Sequence, residues 1–458
     1  MRRQCLWRRN ISGVIRQTRQ WKRNLLLLGH GLSKKQKGGS VLNELLYDTA
    51  EREERIVLVG VATSDMEDTL QSLEELEELG QTAGAVTVAK VVQNRESFHS
   101  KTYIGKGKIQ EVKELVEKYQ ADCVVCDDEL TPAQYNNLQD LLEVKVIDRT
   151  VMILDIFAKR ASTSEGKLQV ELAQLRYRSS HLAGGRSDLS RLGGGIGTRG
   201  PGEQKLEMDR RLIKERITFV RRELEQVQKM RELTRKKRQE NPIPVVAIVG
   251  YTNAGKSTLL NHLTGAGVLS EDKLFATLDP TTRRLELENG EEMLFTDTVG
   301  FIRKLPHHLV QAFRSTLEEA KYADVILHVV DASNPDMDVQ MQTVYETLQR
   351  LEVGDKPIVT AFNKIDSVSG EMTLKDLRAD RTVRISAKYG DGVEAMLSLI
   401  SDVLKENKVI LEMVFPYGEG AKLNQLRKYG QLLSEEYQND GIFVKACLDR
   451  EYLYLFSK

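Results

Sequence analysis

Residues 250–257 read Gly-Tyr-Thr-Asn-Ala-Gly-Lys-Ser, the spacing of a loop that wraps phosphate. Gly250 and Gly255 let backbone N–H groups curl around phosphate oxygens. Lys256 brings a point charge to the β and γ oxygens, and Ser257 offers a hydroxyl to Mg²⁺. Tyr251, Thr252, Asn253, Ala254 and Thr258 complete the predicted contact stretch. Further along, Asp297-Thr298-Val299-Gly300 supplies a carboxylate for the Mg²⁺ shell and a glycine whose N–H can approach a γ-phosphate. Asn363-Lys364-Ile365-Asp366 supplies the base reader. The Asp366 carboxylate only accepts hydrogen bonds; guanine offers it N1–H and N2–H₂, and adenine offers no such pair. Ser386-Ala387-Lys388 is expected to close over the base. Each string is weak by itself, but in this order they predict a GTP site.

Each motif ends an apolar run that reads as a strand: Val245 to Val249, Met293 to Thr296, and Ile358 to Phe362. The loop at 250–257 then opens a helical pattern, Ser257 to Leu263. Between the first two motifs lies Phe275-Ala276-Thr277-Leu278-Asp279-Pro280-Thr281-Thr282-Arg283. A switch loop needs one threonine to reach Mg²⁺ and the γ-phosphate, and three compete here. The residue after Gly300 is Phe301, where many GTPases carry a water-orienting glutamine. Phenylalanine cannot orient a water, so slow hydrolysis by the isolated protein is expected. Arg303 and Lys304 could supply charge nearby, but solvated surface cations are the plainer reading.

The remaining elements divide the 458 residues into several units. Residues 52–150 alternate strand and helix signals: strands Ile56–Val61, Val86–Val92, Cys123–Cys126 and Val144–Asp148, with helices Met66–Leu79, Ile109–Tyr119 and Thr131–Leu142. That pattern predicts a small α/β unit with a parallel sheet. Tyr103 to Lys108 looks like a phosphate loop without the full spacing, and a turn before a helix is the simpler account. Residues 151–241 carry apolar residues at helical spacing from Val151 to Leu182 and from Leu206 to Arg238, which predicts a long helical hairpin. Its joining stretch, 184–203, is glycine-rich and offers Arg186, Arg191 and Arg199 to phosphates, or is a hinge. Residues 242–405 hold the nucleotide motifs. Residues 406–458 predict a small α+β module with strands Val409–Phe415, Gly441–Ala446 and Tyr452–Phe456 and a helix Ala421–Tyr437. The fold class is α/β: a doubly wound, mostly parallel nucleotide-binding sheet preceded by the small unit and the hairpin.

Charge is sorted along the chain although it sums to zero. Residues 1–43 hold many cations, from Arg2 to Lys37, and no acid, and 151–241 also carry an excess of Lys and Arg. A polyanion such as RNA is the natural partner. The segment 1–51 reads as a targeting peptide, a basic arm or a misassigned start. No run approaches the roughly 20 apolar residues that span a bilayer. With four cysteines a reducing compartment is expected, the cytoplasm, with a peripheral membrane contact allowed. Cys123-Val124-Val125-Cys126 has zinc-like spacing but reads as a core strand.

The stretch Gly-Gly-Gly-Ile-Gly-Thr-Arg-Gly-Pro-Gly-Glu at 193–203, set between two helices and followed by the motifs above, resembles the HflX family of translational GTPases over residues 52–400. The resemblance assigns the metal-binding threonine to Thr277. It implies a GTP hydrolase with Lys256, Thr277 and Gly300 acting on the phosphates and Ser257, Thr277 and Asp297 around Mg²⁺. It further implies binding to the large ribosomal subunit, its rRNA and intact ribosomes, with the hairpin loop near the peptidyl-transferase centre. Splitting of stalled or stress-inactivated ribosomes would follow, by a protein that is monomeric when free. A large-subunit assembly factor and a GTP-sensing RNA-binding module are the alternatives. A second nucleotide at residues 103–108 is also suggested by the family.

Overall fold

The computed structural model describes residues 53–182, 201–238, 243–265, 274–287, 290–306, 309, 319–354, 356–368, 374–406 and 408–456. The basic segment 1–51 and the arginines at 186, 191 and 199 lie outside these residues.

The chain opens on a four-stranded parallel sheet of order β2-β1-β3-β4. β1 (Glu54–Ala62) and β3 (Cys123–Cys126) are central and buried on both faces, which explains their unbroken apolar runs. β2 (Ala85–Asn94) lies at one edge and β4 (Lys145–Asp148) at the other. α1 (Met66–Ala83) starts at Asp65, whose side chain accepts from the N–H of Glu67. It buries Leu73, Leu76 and Leu79 along one face. α2 (Lys106–Tyr119) follows the turn at 103–105, as expected of that loop. α3 (Pro132–Leu142) starts from a Thr131/Gln134 capping box. Both cysteines of β3 are buried, and burial pushes the Cys123 thiol up to about 12. Among the described residues no cluster of ligating side chains could hold a metal there.

The helical signal from 151 to 182 divides in two, which corrects the expected single helix. α4 (Arg149–Arg160) begins at Asp148 and packs Ile153, Leu154 and Phe157 into the same core as Leu73 and Leu76 of α1. α5 (Ser164–His181) begins afresh at Thr163, whose hydroxyl accepts from the N–H of Gly166. Two small polar residues, Ser162 and Thr163, end one helix and cap the next, which periodicity alone does not reveal. α6 (Pro201–Arg238) is a helix of 38 residues, about 57 Å long at 1.5 Å per residue. It pairs with α5 through Leu172, Val220 and Leu224.

The nucleotide-motif region forms a six-stranded sheet of order β10-β9-β8-β5-β7-β6. β5 (Val245–Gly250), β7 (Glu292–Asp297), β8 (Val325–Asp331), β9 (Ile358–Asn363) and β10 (Arg381–Arg384) are parallel. The edge strand β6 (Thr281–Glu286) runs antiparallel to β7. Alternate residues of β5 enter different cores, as pleating requires. Val246 and Ile248 meet Leu260 of α7 (Lys256–Thr264) and Ile400 of α9 (Val393–Glu406), while Ala247 and Val249 meet Val344 of α8 (Met337–Arg350). Helices thus cover both faces, the doubly wound arrangement. β5 lies between β7 on one side and β8 on the other, and the chain passes from β7 to β8 across it. The crevice at the carboxyl ends beside β5 is therefore the switch point where such sheets take ligands.

The C-terminal residues form an antiparallel sheet of order β11-β13-β12. β11 (Lys408–Phe415) and β13 (Gly441–Asp449) agree with expectation, but two assignments change. The helix α10 (Gly420–Tyr429) is shorter than expected, and β12 (Gly430–Gln438) takes over its second half. Asn439-Asp440 before Gly441 is the hairpin turn that should have signalled a strand pair. Residues expected as a last strand form a 3₁₀ segment, Arg450–Leu455, that packs Leu455 on the sheet core.

Candidate functional site

The carboxyl ends of β5, β7 and β9 converge on a cavity of about 440 Å³. Its lining includes Thr252, Asn253, Gly255, Lys256, Ser257 and Thr258 from the loop after β5 and the start of α7. Phe275, Ala276, Thr277, Thr298 and Gly300 line one side; Asn363, Lys364, Asp366 and Lys388 line the other. Ser367, which the motifs did not single out, joins them. The signals separated by more than a hundred positions are thus brought together.

At one end, hard oxygen atoms converge. Ser257 Oγ lies 2.8 Å from Thr277 Oγ1 and donates to Asp297 Oδ2 at 2.9 Å. Asp297 Oδ1 is buried with no hydrogen-bond partner. Burial pushes the Asp297 carboxyl up, while Lys256 and the hydrogen bond from Ser257 act against that shift. An oxygen set with an orphaned buried carboxylate atom fits a Mg²⁺ shell. Lys256 is 7% exposed and donates to the backbone carbonyls of Gly250 (3.1 Å) and Tyr251 (2.6 Å). Burial pushes its ammonium down to about 8, with Asp297 pulling the other way. Gly300 must be glycine for steric reasons: a Cβ there would lie 2.9 Å from both Thr252 Cα and Lys256 Nζ.

At the other end, Asn363 serves as a strut. Its Nδ2 donates to Ala254 O and its Oδ1 accepts from Ala387 N, each at 2.8 Å, so the phosphate loop and the Ser386-Ala387-Lys388 turn share one side chain. Lys364 pairs with Asp331 at 2.7 Å, and Ile365 lies in the short turn that carries Asp366. Asp366 is exposed, and Ser386 Oγ donates to its Oδ1 at 2.7 Å. That hydrogen bond is the main reason the carboxyl is held below the usual range.

Several expected contact residues face elsewhere. Tyr251 turns its ring away from the cavity; its hydroxyl donates to Glu75 of α1 and accepts from the N–H of Arg303 at 2.7 Å. Leu278 and Val299 are core residues. Asp279 is held by Ser162 and Thr163. Phe301 is 2% exposed; its backbone N–H donates to Gly250 O and its carbonyl accepts from Thr252 N, so its chain is fastened to the phosphate loop while its ring enters the core. Arg303 and Lys304 are not free surface cations. Arg303 reaches Asp68 and Gln71, and Lys304 pairs with Asp127 and, at 2.9 Å, Asp128.

These contacts belong to a buried polar cluster that the sequence did not disclose. Arg149, 1% exposed, donates to Asp127, Glu75, Ser72 and the carbonyl of Arg303. Its partners lie 22 to 154 positions away, and no local spacing links them.

Comparison with known proteins identifies the family. The family described as "GTP-binding GTPase N-terminal" matches residues 70–158, "GTP-binding GTPase Middle Region" matches 160–238, and "50S ribosome-binding GTPase" matches 245–364. The chain is 61% identical over 406 residues to the GTPase HflX of Lacrimispora saccharolytica, covering 89% of this chain and 96% of that protein. It is 40% identical over 399 residues to the GTPase HflX of Escherichia coli, covering 86% and 93%. A solved structure titled as the SsGBP and GDP complex aligns with 77% of this chain and 99% of its own at 26% identity and a TM-score of 0.45. The chain therefore belongs to the HflX family of GTPases, and its chemistry is the hydrolysis of GTP to GDP and phosphate.

Proposed function

We propose that this GTPase binds the large ribosomal subunit and intact ribosomes in the cytoplasm, hydrolyses GTP in a ribosome-stimulated way, and splits stalled or stress-inactivated ribosomes. The observation that carries the stimulated part is Phe301: its ring is packed in the core, and among the described residues that line the cavity there is no glutamine, glutamate or histidine to orient a water in its place. The family description "50S ribosome-binding GTPase" and the excess of cations in the hairpin region support the partner.

Ser257, Thr277 and Asp297 would hold Mg²⁺, which when bound would neutralise charge developing on the phosphates. Lys256 offsets phosphate charge, and the N–H of Gly300 reports the γ-phosphate. Asp366 selects guanine, with Ser386 holding its carboxylate in place. GTP favours the ordered arrangement of Thr277 and Gly300, which is the ribosome-binding state; hydrolysis loosens it and permits release.

The test is GTP turnover with and without purified ribosomes, with sucrose-gradient profiles in parallel. Strong stimulation with conversion of intact ribosomes to subunits is expected. Stimulation by large subunits without splitting would indicate an assembly role. Binding without multiple turnover would indicate a GTP-sensing RNA-binding module, and no stimulation would defeat the ribosomal reading.

A further inference from the structure

Thr277 meets Ser257 in the cavity, but both neighbours that fix its position point into the helical region. Two residues before it, Phe275 adopts a φ of +55°, a conformation that bulky side chains rarely take. Its ring packs edge-to-face on Phe157 of α4, with centroids 4.6 Å apart. Two residues after it, the Asp279 carboxylate lies in the turn between α4 and α5. Its Oδ2 accepts from Ser162 N (2.9 Å), Ser162 Oγ (2.6 Å) and Thr163 N (2.9 Å), and its Oδ1 accepts from Thr163 Oγ1 at 2.5 Å. Thr163 is itself the cap of α5. A Cβ on Gly166 in the first turn of α5 would lie 2.4 Å from Asp279 Oδ1, so the helix start is shaped around this carboxylate. A carboxylate at a helix start is also favoured by the helix dipole.

The Thr277 loop is thus clamped on one side to α4 and on the other to the α4–α5 turn. α5 in turn packs along α6 and is tied to it by the pair Arg216–Glu171 at 2.6 Å. We infer that Asp279 is a positioning residue: through Ser162 and Thr163 it holds Thr277 at the Mg²⁺ side of the cavity, so that seating of the α5–α6 pair and binding of a γ-phosphate depend on each other. This rests on the nucleotide reading above. Linkage makes the dependence reciprocal: whatever displaces the helix pair weakens GTP relative to GDP, because only GTP uses Thr277.

The experiment compares full-length wild type with Asp279→Ala and Ser162→Ala for binding of GDP and of a non-hydrolysable GTP analogue, each with Mg²⁺. Hydrogen exchange over 162–166 is followed in each complex. Asp279→Ala is expected to weaken the analogue about tenfold and leave GDP within about twofold. Ser162→Ala, which removes one donor and leaves the fold intact, is expected to act in the same direction by about threefold. In wild type the analogue protects 162–166 more than GDP does, and in Asp279→Ala that difference disappears. Equal weakening of both nucleotides, or no change in either, overturns the inference. Wild type that binds neither nucleotide would instead overturn the nucleotide reading and this inference with it.

Discussion

The hydroxyl of Tyr251, in the phosphate loop, donates to Glu75, 176 positions earlier, and accepts from the N–H of Arg303, 52 positions later. One side chain thus joins α1, the phosphate loop and the segment after Gly300. Tyr251→Phe keeps the ring in the core and deletes both bonds. The N–H of Arg303 is then left unpaired, which costs about 1–3 kcal/mol. Urea unfolding should show that loss, while GDP affinity stays near wild type because the ring does not line the cavity. A large drop in GDP affinity with unchanged stability would contradict this account.

Arg149 is buried against Asp127 and Glu75. Arg149→Met fills the space but takes the paired cation from Glu75 and leaves Asp127 with Lys304 alone, a change worth about 3–5 kcal/mol when a buried pair is broken. The same cluster gives a pH dependence. Burial pushes Asp127 up, but Arg149 and Lys304 outweigh it and hold the carboxyl below its ordinary 3.8. A depressed acid stabilises the fold above its unfolded pKa, and that contribution fades as pH falls through the folded value. Acid titration of stability should therefore show a steeper loss below 3.8 in wild type than in Arg149→Met.

Lys256 works in the opposite direction. Its folded value of about 8 lies below the ordinary 10.5. The unfolded chain binds more protons across that window, so the penalty for burying Lys256 charged is relieved as pH rises. Phosphate needs the charged form. GDP affinity is expected to fall as pH rises through about 8, with net proton uptake on binding, which calorimetry in two buffers of different ionisation enthalpy measures. A flat profile from neutral to mildly basic pH would sink this assignment.

Asp366 is exposed and oriented by Ser386. Asp366→Asn replaces an all-acceptor group with one that presents a donor to guanine N1–H or N2–H₂. GDP affinity should fall by about a hundredfold or more, and a xanthine nucleotide should be bound better than by wild type. Competition with a fluorescent nucleotide measures both. Ser386→Ala should produce a weaker loss in the same direction.

The nucleotide chemistry was legible in the chain because its parts are local. A phosphate loop needs a strand, glycines at fixed offsets, Lys256 and Ser257, all within a dozen residues, and a base reader needs one carboxylate at a strand end. The apolar run of β5 and the length of α6 were equally plain, since an unbroken apolar run marks a strand buried on both faces and a period of 3.6 residues marks an apolar helix stripe. The break at Ser162-Thr163 and the strand at 430–438 were not, because helical spacing there competed with a cap and a hairpin turn that occupy only two or three residues each.

Sequence by itself determined what the site could bind: Lys256, Ser257, Asp297 and Asp366 carry chemistry that depends on residue type and short-range order. Only the tertiary structure decided which neighbours in the same motifs face the cavity. Tyr251 and Asp279 sit one and two residues from phosphate- and metal-side positions, yet both turn away to bind α1 and the α4–α5 turn. Their partners lie 176 and 116 positions off, and nothing in a one-dimensional spacing encodes a contact that exists only after packing brings distant polar groups out of water together.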